Sequence, residues 1–144
     1  MNDPEPPGRG APAGVLICDD NEAMRTLLRV VVDLSPRLRV VGEAADGNEA
    51  IVEAGTHRPD VILLDLAMPN RNGLEVLPEL RAVVPEARIV VFSGFSTATV
   101  ADQALALGAA SYVEKGAHPD AIIAAIEHAL ATAPVSPSAL PVAR

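Results

Sequence analysis

The sequence predicts an α/β fold built on one doubly wound parallel sheet of five strands. Three observations predict it. Five short apolar runs alternate with five longer amphipathic segments. The runs lack the in-and-out alternation of a half-exposed strand, so they read as strands buried on both faces. Acidic, hydroxyl and lysine side chains follow directly where several of these runs end.

In chain order the predicted strands are Val15–Cys18, Arg39–Glu43, Val61–Leu64, Arg88–Phe92 and Ser111–Val113. The first helix follows from Met24, Leu27, Leu28 and Val31, spaced i, i+3, i+4, i+7 along one face. The second spans Asn48–Ala54 with Asp46 as its cap, and the third Gly73–Val84. The fourth spans Thr97–Leu107, capped by Ser96 and stopped by Gly108. The fifth opens on Pro119, whose missing N–H costs nothing in a first turn, and carries Ile122, Ile123, Ile126 and Leu130. Strand–helix alternation of this kind implies a parallel sheet covered on both faces.

Outside this block the composition changes. Residues 1–13 are rich in Pro, Gly and acidic groups and read as a flexible N-terminal arm; residues 133–144 read as a flexible Pro-rich tail. The domain is expected over residues 14–132. A chain of 144 residues suits one domain, and 49% apolar residues supply a sizeable core. Aromatic residues are only 2%, so no stacking platform for single-stranded nucleic acid is available. The net charge of −8 opposes a phosphate backbone, so direct nucleic-acid binding by this domain is not expected. No apolar stretch approaches the ~20 residues of a membrane span. The N-terminus has neither the basic start nor the apolar stretch of a signal peptide. The lone Cys18 lies in an apolar run and reads as a core thiol, which fits a cytoplasmic location.

In open parallel sheets ligands bind beyond the carboxyl ends of the strands. There the sequence places Asp19-Asp20, Asp65, Ser93 and Lys115. Three carboxylates brought together repel one another unless a cation joins them. An all-oxygen set suits a hard divalent ion, Mg²⁺ above all, which keeps waters and shares phosphate oxygens. Lys115 adds a second positive charge and Ser93 a donor, both suited to phosphoryl oxygens.

Asp19-Asp20 after a strand, Asp65-Leu66-Ala67-Met68-Pro69 with Gly73 beyond, Ser93-Gly94, and Tyr112 three residues before Lys115 occur in order. This set resembles the receiver domain of two-component response regulators, over nearly the whole block from Val15 to Leu130. The segment Leu107–Ala117, with Gly116 where many receivers have proline, resembles the NarL/FixJ branch. The resemblance implies a flavodoxin-like (βα)5 fold with strand order 2-1-3-4-5. It implies that Asp65 accepts a phosphoryl group from a sensor histidine kinase. Mg²⁺ would be held by Asp20, Asp65 and the Ala67 carbonyl, with Asp19 acting mainly through water. Lys115 would pair with the acceptor, Ser93 would turn toward the phosphoryl group, and Tyr112 would move inward behind it. The face of the fourth helix, fifth strand and fifth helix would carry the switch, to a partner, an output domain or a homodimer. Small residues there (Ala98, Ala101, Ala104) would permit close packing. The implied protein is a signalling switch in transcription regulation, not an enzyme in the sense of turnover. No helix-turn-helix, usual in that branch, follows Ala131, so the expectation is a truncated or a stand-alone receiver.

Other readings compete. A phosphatase of the haloacid dehalogenase class also uses an aspartyl phosphate, Mg²⁺ and a lysine, but needs a second aspartate where Ala67 stands. A degenerate, protein-binding receiver would lack part of the acidic set. A flavodoxin-like cofactor module would need a Ser/Thr/Gly-rich loop where Asp19-Asp20-Asn21-Glu22 stands. His57, His118 and His128 show no ligand spacing and read as surface residues. Arg25 and Arg29 read as a solvated face of the first helix or a kinase contact.

Overall fold

The computed structural model describes residues 11–94 and 98–132. Its elements run β1 (Ala13–Cys18), α1 (Glu22–Asp33), β2 (Leu38–Ala44), α2 (Gly47–His57), β3 (Val61–Asp65), α3 (Gly73–Val83), β4 (Arg88–Ser93), α4 (Ala98–Ala106), β5 (Ser111–Glu114) and α5 (Pro119–Ala131). The sheet is wholly parallel, in the order β2-β1-β3-β4-β5. Each strand begins or ends a residue or two beyond its predicted run, and Asp65 and Ser93 prove to be the last residues of their strands. The Ser96 cap and the tail 133–144 lie outside the described residues, as do residues 1–10 of the arm.

Burial on both faces holds for the three central strands. β1, β3 and β4 are buried almost throughout. β2 and β5 are sheet edges and only partly covered, which corrects the reading of all five runs as buried. Side chains of the central strands alternate between two cores. Leu16, Cys18, Ile62, Leu64, Ile89 and Val91 face α2, α3 and α4. Val15, Ile17, Val61, Leu63, Val90 and Phe92 face α1 and α5.

The inward side of α1 differs from the predicted one. Leu28, Val31 and Val32 are buried, whereas Leu27 is 49% exposed. Together with Val30 and Leu34, Leu27 forms an outward apolar stripe at helical spacing. Helix ends follow local capping chemistry. Asn21, Asp46 and Asn72 accept backbone N–H groups in the first turns of α1, α2 and α3. Before Pro119, the His118 ring accepts the Asp120 N–H. Gly108, after α4, has φ +104, a conformation that glycine adopts at no steric cost. All three histidines are exposed. Among the described residues, no helix is long and apolar enough to cross a membrane.

Candidate functional site

The sheet ladder sets the site's dimensions. Cys18 pairs with Leu64, so Asp19 and Asp65 follow one step later on neighbouring strands. Parallel strands lie ~4.8 Å apart, which forces the two carboxylates together. Oxygens of Asp19, Asp20 and Asp65 all lie within 4.8 Å of one another. Asp19 and Asp65 are buried, whereas Asp20 faces solvent.

Each buried carboxylate is held. Asp19 Oδ1 accepts the Asn21 N–H at 2.9 Å. The Asp19 N–H donates to the Ala44 carbonyl at 3.0 Å, tying the turn to β2. Asp65 Oδ1 accepts the Ala67 N–H at 3.1 Å and Oδ2 accepts from Lys115 Nζ at 3.1 Å. Lys115 also pairs with Asp19 Oδ2 at 2.8 Å. Its own N–H donates to the Ser93 carbonyl at 2.9 Å, which fixes the end of β5 against β4.

Burial is the main cause that pushes the Asp65 carboxyl above its ordinary pKa, and the Asp19 charge adds to it. The Ala67 N–H and Lys115 act the other way without cancelling the effect. For Lys115 burial favours the neutral amine, but pairing with Asp19 and Asp65 outweighs it, and the ammonium is held above its usual range.

The donor set fits a hard cation. Three carboxylates face one ammonium, which leaves an excess of negative charge. Asp19 Oδ2 is buried and accepts no hydrogen bond of regular geometry among the described residues. Its neighbour is the Lys115 ammonium at 2.8 Å, which leaves room in the charge balance of three carboxylates for a further cation. Oxygen ligands, partly exposed through Asp20, match what small divalent ions take.

Ser93 is buried at the end of β4. Val91 pairs with Tyr112 and Ser93 with Glu114, so Tyr112 lies two residues back from the rim on the adjacent strand. Strand alternation puts Ser93 on the Val91 face, and Tyr112 packs half-buried against the core of that same face. Ala104 of α4 is fully buried in it. This corrects one member of the expected small-residue surface: Ala104 points into the core, Ala101 is half-buried, the Ala98 side chain lies outside the description, and α4 exposes Leu105 and Ala106. Met68 is buried and anchors the loop after Asp65, while Ala67 is exposed. Arg25 and Arg29, read as solvated or kinase-facing, both bind Glu43 of β2.

A parallel five-stranded sheet with three acidic groups, a hydroxyl and a lysine on its carboxyl rim defines a receiver. The chain belongs to the response regulator receiver domain family, which it matches over residues 15–127. It is of the NarL/FixJ-like kind. It is 40% identical over 120 residues to the nitrate/nitrite response regulator protein NarL of Escherichia coli K12, covering 83% of this chain and 56% of that one. It is 30% identical over 112 residues to the chemotaxis protein CheY of Thermotoga maritima, covering 78% of this chain and 92% of that one. Among solved structures, it resembles the signal receiver domain of the putative response regulator NarL from Mycobacterium tuberculosis. There the TM-score is 0.79 and the identity 31%, over 83% of this chain and 97% of that one. The chain spans about half the length of the first curated relatives it matches. Receivers of this family act as phosphorylation-dependent signalling switches.

Proposed function

We propose that Asp65 is the phosphoryl acceptor of this switch, charged by a sensor histidine kinase in the presence of Mg²⁺. One observation carries the reading: a buried carboxylate at the end of β3 lies beside a lysine ammonium and within 4.8 Å of two further carboxylates. An Asp65 oxygen attacks phosphorus, the O–P bond forms, the P–N bond to the donor imidazole breaks, and its electron pair returns to the ring. Such transfer needs positioning and charge neutralisation more than covalent help. Asp20, Asp65 and the Ala67 carbonyl would hold Mg²⁺, with Asp19 mainly through water; the ion would neutralise charge on the phosphoryl oxygens. Lys115, beside Asp65, would add a second positive charge for the same purpose.

Phosphorylation adds about −1.5 to −2 charge at pH 7. That charge draws the Ser93 hydroxyl toward the new oxygens, and Tyr112, on the same sheet face, moves inward behind it. The α4–β5–α5 face then takes its second arrangement and controls a partner, an output domain or a homodimer. Sedimentation with and without a beryllium fluoride mimic tests the homodimer; an unchanged mass excludes it. The exposed Leu27, Val30 and Leu34 of α1 offer an apolar stripe for the kinase, whereas Arg25 and Arg29 are engaged with Glu43. The lone buried thiol supports a cytoplasmic setting. Ala67, two residues after Asp65, offers no carboxylate for the acid–base step of a haloacid dehalogenase-type phosphatase.

Intact mass after incubation with acetyl phosphate and Mg²⁺ tests the acceptor. One added phosphoryl group is expected on the protein and none on Asp65→Asn. Equal labelling of both places the acceptor elsewhere.

A further inference from the structure

The turn from β1 into α1 has to keep two adjacent carboxylates pointed at a third, against their mutual repulsion. Four backbone contacts hold it: Asp19 N–H to the Ala44 carbonyl at 3.0 Å, Asn21 N–H to Asp19 Oδ1 at 2.9 Å, Met24 N–H to Asn21 Oδ1 at 3.0 Å, and Arg25 N–H to the Asn21 carbonyl at 3.0 Å. One long side chain joins them. Arg25 Nη1 donates to the Asp19 carbonyl at 2.8 Å, while its Nε donates to Glu43 Oε1 at 3.1 Å. The Arg25 side chain is only 18% exposed. Arg29, one turn further along α1, binds the other oxygen of Glu43, with its Nε at 3.0 Å. Glu43 directly precedes Ala44, so the side-chain bridge and the Asp19–Ala44 backbone bond clamp the same two strand ends together.

We propose that Arg25 is a positioning residue for the divalent-cation site: by spanning the Asp19 carbonyl and Glu43, it fixes the orientation of Asp19 and Asp20. The inference rests on the reading of these carboxylates as a metal site. It is a matter of shape as well as charge. A guanidinium presents two donors in a rigid fork and reaches both acceptors at once; a lysine ammonium is a single point of charge. Glu43 and Arg29 support Arg25 in turn. Losing groups that orient metal ligands commonly weakens a site about 10- to 100-fold.

Mg²⁺ affinity is measured by isothermal titration calorimetry on the full chain for the unmodified protein, Arg25→Lys, Arg25→Gln and Arg29→Gln. Urea unfolding in EDTA is recorded for each. The Mg²⁺ concentration that gives half-maximal labelling by acetyl phosphate is a third readout. Both Arg25 variants are expected to bind Mg²⁺ about tenfold more weakly and to need correspondingly more Mg²⁺ for labelling. Arg29→Gln is expected to show a smaller loss. Full affinity in Arg25→Lys overturns the positioning role and leaves only a charge effect. Lower stability in EDTA with unchanged Mg²⁺ affinity overturns it in favour of a structural role. Absence of Mg²⁺ binding by the unmodified protein overturns the metal-site reading itself, a result distinct from either of these.

Discussion

Lys115 Nζ lies 3.1 Å from Asp65 Oδ2; Asp65 ends β3 and Lys115 directly follows β5, two strands separated by a third, β4. The contact therefore depends on the register of both ladders, and it joins the one lysine of the pocket to the proposed acceptor. Removing either partner has consequences of opposite sign.

Lys115→Met leaves Asp19 and Asp65 without their ammonium. Breaking a fully buried pair costs ~3–5 kcal/mol; Lys115 is partly exposed, so a loss of about 2 kcal/mol is expected. Urea unfolding in EDTA at pH 7 measures it. A loss below about 0.5 kcal/mol would show the pair to be no stronger than an ordinary surface contact.

Asp65→Asn should stabilise the metal-free protein at pH 7. The Asp65 pKa is raised in the folded state, chiefly by burial, so its ionisation works against folding. Its contribution is complete below the unfolded pKa and is lost as pH rises through the folded one. A gain in stability is expected at pH 7, shrinking toward zero in acid, where both proteins carry a neutral group. Unfolding curves at several pH values in EDTA decide it. A destabilised variant at pH 7 contradicts the raised pKa.

Gly73→Ala tests the loop that carries Ala67 and Met68. A Cβ on Gly73 would lie 2.6 Å from the Asp65 carbonyl oxygen and 2.8 Å from Leu66 Cα, both backbone atoms that cannot turn aside. The expected cost is roughly 1–3 kcal/mol, the range for overpacking, with reduced Mg²⁺-dependent labelling. Unimpaired stability and labelling together would show that the loop has slack.

Asp46→Ala removes the cap of α2 and frees Asn70 as well. Asp46 Oδ1 accepts the Glu49 N–H at 2.8 Å, and Oδ2 accepts from Asn70 Nδ2 at 3.1 Å. Loss of the cap costs about 1 kcal/mol. Asn70 holds a left-handed backbone at φ 70, so its amide should also exchange faster once that anchor is gone. Exchange followed by NMR reads this directly.

Most of the architecture was legible because two periodicities dominate the chain. Apolar runs without alternation mark β1, β3 and β4, and the strand-end residues Asp19, Asp20, Asp65 and Lys115 come together as the sequence implies. Edge strands were not distinguishable, because β2 and β5 are also apolar and differ only in having one neighbour. Leu27 fits an inward helical face by spacing, yet Val32 takes the buried place; a stripe wide enough for either choice leaves the rotation of α1 to tertiary packing. Arg25 was illegible for a different reason. Its partners, the Asp19 carbonyl and Glu43, are one backbone atom and one residue 18 positions away, and neither leaves a local signal.

The pairing of Cys18 with Leu64 has a consequence for how the pocket can fail. A slip of one residue between β1 and β3 would turn the side chains of one strand into the opposite core, against their packed shapes, and would carry Asp19 away from Asp65. The acidic rim is thereby tied to the packing of the central strands. Its amides should open to solvent only when the whole domain unfolds, so hydrogen exchange at Leu64 and Asp65 should report global stability.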